Sequence, residues 1–207
     1  MFFVVASEQR RAAAPAEAEA EPDPIAAGML ASRTVDAAPL TVEEVFPDGE
    51  VVRPASAAPY RITMTHIDTD CGRATTGELG LLLAAHGCSQ VVRAGLVAPY
   101  GDYQVTAGLF NLADAPGAAD VDGRLRQLVE TSDGSFATLP TGHTDPDALP
   151  TAQVGWRTRG HYLLYCVITR PHGELVAAGD PVAVRITSDL VDGYLGTTIL
   201  SRRSASF

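Results

Sequence analysis

The sequence predicts an α+β fold of the ferredoxin-like type, in which a split β-α-β antiparallel sheet carries its helices on one face. A C-terminal helix is added to this plan. Two observations predict the class. Local patterns follow the order strand, helix, strand, strand, helix, strand, helix along the chain. The run GHYLLYCVITR at residues 160–170 is apolar on both faces, which is typical of a buried strand. With 207 residues, 46% of them hydrophobic, the chain is long enough to form one core.

The period of the hydrophobic residues and the presence of helix-capping residues predict the individual helices and strands. Thr75 and Glu78 form a capping-box pattern ahead of an apolar helical stripe, and Asp114 stands before the next helix. Asp180 precedes a C-terminal helix that we expect to end near Leu200. The segment between the second helix and the last strand, 131–159, is expected to be a long loop with at most one short strand. The expected strands are 60–68, 89–98, 103–111 and 160–170.

The N-terminal part differs from the rest in composition. Residues 1–6 are apolar, but a helix that spans a bilayer takes about twenty residues. They are either a frayed terminus or the last turn of a transmembrane helix that begins outside this chain. Residues 7–39 are rich in Ala, Glu and Pro and carry no apolar stripe, so we expect a disordered linker or stalk. A single α+β domain is expected over residues 40–203.

Three cysteines indicate a protein that folds outside the cytoplasm, with one disulfide and one buried thiol. An unbroken helix from Cys71 to Cys88 would be ~25 Å long, whereas a disulfide needs Cα atoms within about 7 Å. The candidate pair Cys71–Cys88 can therefore close only if the helix begins late, near Thr76, and the preceding residues fold back beside it. Otherwise Cys88 has another partner. Cys166 lies in the apolar strand and is expected to be a small buried hydrophobe.

The strongest candidate for a binding site is the cluster of Trp156, Arg157 and Arg159, just before the buried strand. An aromatic ring beside two guanidinium groups is typical of a contact patch for a partner protein, an anionic glycan or a lipid head group. The alternative is a Trp that covers the edge of the sheet beside two solvated arginines.

Two segments combine His with carboxylates, as a metal site would. His66, Asp68 and Asp70 alternate along the end of a strand, and residues 142–147 read GHTDPD. A polar strand end and an ordinary turn explain the same residues, and we favour that interpretation. The chain has neither a G-x-S-x-G elbow nor a phosphate-binding glycine loop. No cofactor, metal or catalytic residue is predicted.

Several motifs resemble a family of uncharacterised actinobacterial single-pass membrane proteins. They are TVEEVFPDGE, CGRATTGELGLLLAAHGCSQVVRAGL, YQVTAGLFNLADA, VGWRTRGHYLLYCVITRPHGE and DLVDGYL with ILSRR. The resemblance covers roughly residues 40–203. It implies a transmembrane helix upstream, an Ala/Pro-rich stalk and one extracytoplasmic domain in the cell membrane. It implies no ligand and no catalytic residue.

Two functions are compatible with these patterns. The first is a non-catalytic extracytoplasmic module, tethered by an N-terminal helix, that binds an envelope protein or a cell-wall ligand. The second is an enzyme that binds a small molecule on the open face of a ferredoxin-like sheet, with His161 or His66 near carboxylates. The net charge of −10 argues against nucleic acid as a partner, because a duplex binder needs clustered cations. The sequence does not indicate an oligomeric state.

Overall fold

The computed structural model describes residues 28–139 and 152–205. They form a curled antiparallel sheet with helices, including a C-terminal helix, which confirms the α+β class. The strands are β1 Val51–Val52, β2 Tyr60–Asp68, β3 Thr75–Gly77, β4 Gln90–Val97, β5 Gln104–Asn111, β6 Gly134–Phe136, β7 Gln153–Arg159 and β8 Tyr162–Thr169. The helices are α1 Val42–Val45, α2 Leu79–Ala85, α3 Ala115–Thr131, α4 Pro181–Thr187 and α5 Leu200–Ser204, with a π-helical segment at Ser188–Ile199.

The main sheet has six strands in the order β1-β2-β4-β5-β8-β7, and β3 pairs with β6 in a separate two-stranded sheet. Every pair in the main sheet is antiparallel. The ferredoxin-like topology is not confirmed. A split β-α-β unit needs a third strand between the two that its helix connects, but β2 and β4, on either side of α2, pair directly with each other.

Apolar side chains cover the sheet on both faces. On one face, Phe110 and Tyr165 pack with residues of α2, α3 and β6. On the other face, Ala94 and Leu164 pack with the C-terminal helix and with residues 28–46. Seven of the eight residues in each of β4, β5 and β8 are buried, so the sheet has no open face at its centre.

Residues 28–46, which we call the N-terminal strap, belong to the folded part. Leu30 is only 2% exposed, and the backbone N–H of Arg33 donates to the carbonyl of Ala113 at 2.9 Å. The C-terminal third of the linker predicted at 7–39 therefore lies against the domain, which begins before residue 40. The sequence pattern missed this because the strap buries isolated apolar residues and forms no periodic stripe. Residues 1–27 lie outside the described part.

A buried ion-pair network fixes the strap to the C-terminal helix. The Nε of Arg203 donates to Oδ2 of Asp36 at 2.6 Å, and its Nη1 donates to both carboxylate oxygens of Glu44 at 2.6 and 2.8 Å. The carbonyl of Ala38 accepts from Nη2, and the Tyr162 hydroxyl donates to Asp36 at 2.6 Å. The side chains of Asp36 and Arg203 are 0% and 6% exposed. The network therefore stabilises the strap only as long as both charges stay paired.

The disulfide between Cys71 and Cys88 is confirmed, with Cα atoms 6.3 Å apart. It closes because a 3-10 turn at Cys71–Ala74 and strand β3 precede the helix, which begins only at Leu79. The predicted capping box is wrong. Thr75 lies in β3 opposite Phe136, and the Glu78 side chain makes no capping hydrogen bond.

The loop predicted at 131–159 is partly wrong, since it contains the seven-residue strand β7 as well as the short strand β6. The predicted C-terminal helix is present, but it widens into π-helical geometry at Ser188–Ile199. There the Thr197 hydroxyl donates to the carbonyl of Asp192 at 2.9 Å, five residues back. No helix within the described ranges is both long and apolar enough to span a bilayer.

Candidate binding site at the edge of the sheet

Strand β7 forms one outer edge of the main sheet and leaves half of its backbone groups facing outward. A two-residue turn at Gly160 and His161 joins it to β8, and Gly160 has φ +58°. Such a turn closes on a hydrogen-bonded pair, here Arg159 and Tyr162. Because hydrogen-bonded and non-bonded pairs alternate along an antiparallel ladder, the N–H and C=O groups at positions 154, 156 and 158 point away from β8.

A groove of about 490 Å³ runs along this edge, and we call it the β7 groove. Its walls include Asp122 and Arg126 of α3 and Thr187 of α4, and β7 itself forms the floor. Gly155 allows α4 to lie this close, because a Cβ at that position would be 2.3 Å from Cγ2 of Thr187. The groove therefore combines backbone hydrogen-bonding groups with two helical walls.

Trp156 is held on the α3 side of the groove. Its indole Nε1 donates to Oδ1 of Asp122 at 2.8 Å, and its ring lies 6.5 Å from the ring of Phe136. Phe136 in turn stacks on Tyr165 at 4.5 Å. One side of the indole is thus packed into the core, while the side chain as a whole stays half-buried. A ring oriented in this way can receive an apolar group without losing much conformational entropy.

The predicted cluster lies along one strand but is divided between the two faces of the sheet. Arg157 points to the side opposite Trp156 and pairs with Asp192 of the C-terminal helix at 2.8 Å. By the alternation of side chains along a strand, Arg159 shares the side of Arg157. The cation beside Trp156 is instead Arg126.

Sequence reasoning missed Asp122, Arg126 and Thr187, because tertiary packing brings them to β7 from distant helices. It also missed β7, although the chain carries a usable signal. Val154, Trp156 and Thr158 alternate with other residues, and a two-residue turn beginning with Gly separates them from a second apolar run.

The carboxylates near His66 serve the turn after β2. His66 lies 3.6 Å from Asp68, while Arg73 pairs with Asp68 at 3.7 Å and with Asp70 at 3.6 Å. The backbone N–H of Asp70 donates to Asp68 at 2.9 Å and lowers the pKa of that carboxyl. Within the two described ranges, no three His, Cys, Asp or Glu side chains are grouped to hold a metal ion. The segment 142–147 lies outside the described residues.

Cys166 and His161, which the sequence analysis also considered, are both fully buried. Burial raises the pKa of the Cys166 thiol to about 11, so the thiol stays protonated at neutral pH and is a poor nucleophile. Burial also lowers the pKa of His161. Its Nδ1 lies 2.9 Å from the carbonyl oxygen of Leu30, and its Nε2 lies 3.9 Å from Asp36. His161 thus contacts the strap and not an accessible pocket.

Comparison with protein-family models, with curated proteins and with solved structures finds no match for this chain. The resemblance to actinobacterial membrane proteins stays a prediction.

Proposed function

We propose that this chain is a non-catalytic, membrane-tethered module that binds a protein partner in the cell envelope through the β7 groove. The observation that carries the proposal is the half-buried Trp156 beside outward-facing backbone groups in a groove between two helices. Trp and Arg dominate the binding energy of protein–protein contacts, particularly where a packed shell holds the ring in place. Trp156 and Arg126 meet that description on one wall of the groove.

The proposed compartment is supported by the disulfide. Cys71 and Cys88 are joined, and structural disulfides persist where the environment is oxidising. The proposed tether is supported by the apolar residues 1–6, by the Ala/Pro-rich stalk and by the family resemblance. The strap would place the end of that stalk at Gly28, on the domain itself.

The alternative function, a small-molecule enzyme on a ferredoxin-like sheet, requires an open sheet face above the central strands. The strap and the C-terminal helix occupy one face, and α2 with α3 occupies the other. His161, one of the two histidines that such an enzyme would use, is 0% exposed. The geometry therefore favours a binding module over this enzyme.

Affinity capture from envelope extracts tests the proposal, with the full chain as bait and three variants in parallel. Trp156→Ala removes the packed ring, Arg126→Ala removes the cation beside it, and Arg61→Ala is the matched control. Arg61 is an exposed arginine on β2, at the opposite side of the sheet.

We expect one protein to be recovered by the wild-type chain and by Arg61→Ala. Its recovery should fall by at least about tenfold with Trp156→Ala, because truncating a Trp that acts as a binding hot spot costs about 2 kcal/mol or more. Direct binding of the purified partner should show the same order of affinities. Recovery that does not depend on Trp156, or recovery of cell-wall glycan without protein, would contradict the proposal.

A further inference from the structure

The β7 groove also indicates how a partner binds. We infer that the partner adds an extended, acidic segment to the sheet as a seventh strand beside β7. This inference rests on the proposed function, and it adds both the mode of binding and the chemical class of the bound segment.

The backbone of β7 is prepared for such an addition. Positions 154, 156 and 158 present three N–H and three C=O groups to the groove, as the alternation of the β7–β8 ladder requires. Residues two apart along a strand are about 6.6 Å apart, which is the repeat that an incoming strand offers. Neither a proline nor a register shift interrupts the seven paired residues Gln153–Arg159.

The opposite edge of the sheet is not equally available. There β1 already pairs with the start of β2, and the β2–β4 ladder shifts register between Ile62 and Met64. The hydroxyl of the extra residue, Thr63, donates a hydrogen bond to the carbonyl of Gly95 at 2.9 Å. Bulges of this kind and short outer strands are the usual protection of a free edge. Strand β7 has neither, so it is the edge suited to strand addition.

The helical walls provide places for the side chains of an added strand. Neighbouring strands lie about 4.8 Å apart, and their side chains point alternately to the two faces of the sheet. On one face, an incoming side chain would meet Trp156 and Arg126. On the other face, it would meet Thr187 and the aliphatic part of Arg157. Backbone bonds would supply affinity, and these two walls would supply specificity.

The charges in the groove favour an acidic segment. The carboxylate of Asp122 accepts a hydrogen bond from the indole of Trp156 and keeps its negative charge, and that of Asp192 pairs with Arg157. Arg126 is exposed and forms no ion pair with a carboxylate of residues 28–139 or 152–205, whereas its neighbour Arg124 pairs with Asp120. Strand β7 contains two arginines and no acid. Arg126 and the two arginines of β7, set against Asp122 and Asp192, give this part of the surface a formal charge of +1 in a chain of net charge −10, which favours an acidic side chain.

The test is selection from a displayed library of random dodecapeptides on the full chain, followed by calorimetry with the selected peptides. Thr158→Pro removes an N–H that points into the groove without removing a bond to β8, and edge strands tolerate such a proline. Thr158→Val is the matched control, since it keeps the N–H. Arg126→Glu reverses the charge. Peptides N-methylated at alternate positions give a second test that leaves the protein unchanged.

We expect the selected peptides to be acidic. Their affinity for the chain should fall at least about tenfold with Thr158→Pro and with N-methylation of the peptide at one set of alternate positions. Thr158→Val should weaken binding much less than Thr158→Pro does, because it keeps the backbone N–H that the added strand uses. Arg126→Glu should also weaken binding. The inference is overturned if no peptide is selected, if the peptides are not acidic, or if N-methylation has no effect. It is also overturned if the chain forms a dimer that Thr158→Pro abolishes, since a second copy would then occupy the edge.

These outcomes separate the two proposals. If the envelope partner depends on Trp156 but neither Thr158→Pro nor N-methylation affects binding, the proposed function stands and strand addition is wrong. If capture of the partner does not depend on Trp156, the proposed function itself is wrong.

Discussion

Replacing Arg203 by Met removes the cation that holds the N-terminal strap. The guanidinium is 6% exposed and contacts the carboxylates of Asp36 and Glu44. Met preserves most of the side-chain volume, so the main consequence is a buried Asp36 carboxylate that has lost its cation and keeps only the hydrogen bond from the Tyr162 hydroxyl. Removing one member of a buried ion pair costs about 3–5 kcal/mol. We expect the free energy of unfolding to fall by that amount, a large part of the 5–15 kcal/mol typical of a domain.

Urea denaturation followed by circular dichroism measures the change. The matched control is Arg53→Met, which breaks an exposed pair with Asp48 and should cost at most about 1 kcal/mol. In the Arg203→Met background, Asp36→Asn should restore part of the loss, because an amide is less costly to bury than an unpaired charge. If Arg203→Met changes the free energy of unfolding by less than about 1 kcal/mol, the strap is not held as described.

Three further predictions concern stability. Replacing both Cys71 and Cys88 by Ala opens a loop that spans a sequence separation of 17. The free energy of unfolding should then fall by about 3 kcal/mol, and an unchanged midpoint in urea titrations would contradict this prediction. The pKa of His161 is lowered from 6.5 by burial, so below about pH 6.5 the unfolded chain takes up a proton that the folded chain does not. The free energy of unfolding should therefore decrease as the pH is lowered, by up to about 1.4 kcal/mol per pH unit, and the decrease should be less steep in His161→Gln. Equal slopes for the two proteins between about pH 7.5 and about pH 5.5 would refute this. In Gly108→Ala the new Cβ would lie 2.3 Å from a backbone oxygen of β4, so the free energy of unfolding should decrease by about 1–3 kcal/mol. Gly123→Ala places its new Cβ in open space on α3, so it should instead stabilise the protein by about 1 kcal/mol. If the melting temperatures of the two variants shift in the same direction, the close packing at Gly108 is wrong.

The elements that the sequence predicted well are those whose signals are local. Asp114 and Asp180 cap helices as expected, because a capping side chain bonds to a backbone N–H two or three residues away. The apolar run that becomes β8 is buried on both faces, and its pattern alone indicated this. The late start of α2 was one of the two alternatives that the disulfide distance left open, and the helix begins at Leu79, three residues after the expected position.

The features that the sequence did not predict depend on contacts between distant residues. Thr75 and Glu78 match a capping box, but pairing of β3 with β6 takes Thr75 into a strand. Leu30 and Asp36 lie in a segment of linker-like composition, and only the packing of the strap on the sheet buries them.

The candidate site was predicted only in part, because some of its residues come together through contacts between distant parts of the chain. Trp156 stood out as the only Trp, next to two arginines. The position of Arg126 beside it depends on how α3 packs against β7, which no local pattern encodes. The assignment of Arg157 to the opposite face follows from strand alternation, but only once β7 is known to be a strand.

The proposed function requires the β7 groove to bind a protein in the cell envelope. The most direct measurement is photocrosslinking in intact host cells, with a photoreactive amino acid placed at Thr158 in the groove or at Arg61 on the opposite side of the sheet. We expect a defined protein adduct from position 158 that is lost when Trp156→Ala is added, and none from position 61. Absence of an adduct at position 158, or the same adduct from both positions, would contradict the claim.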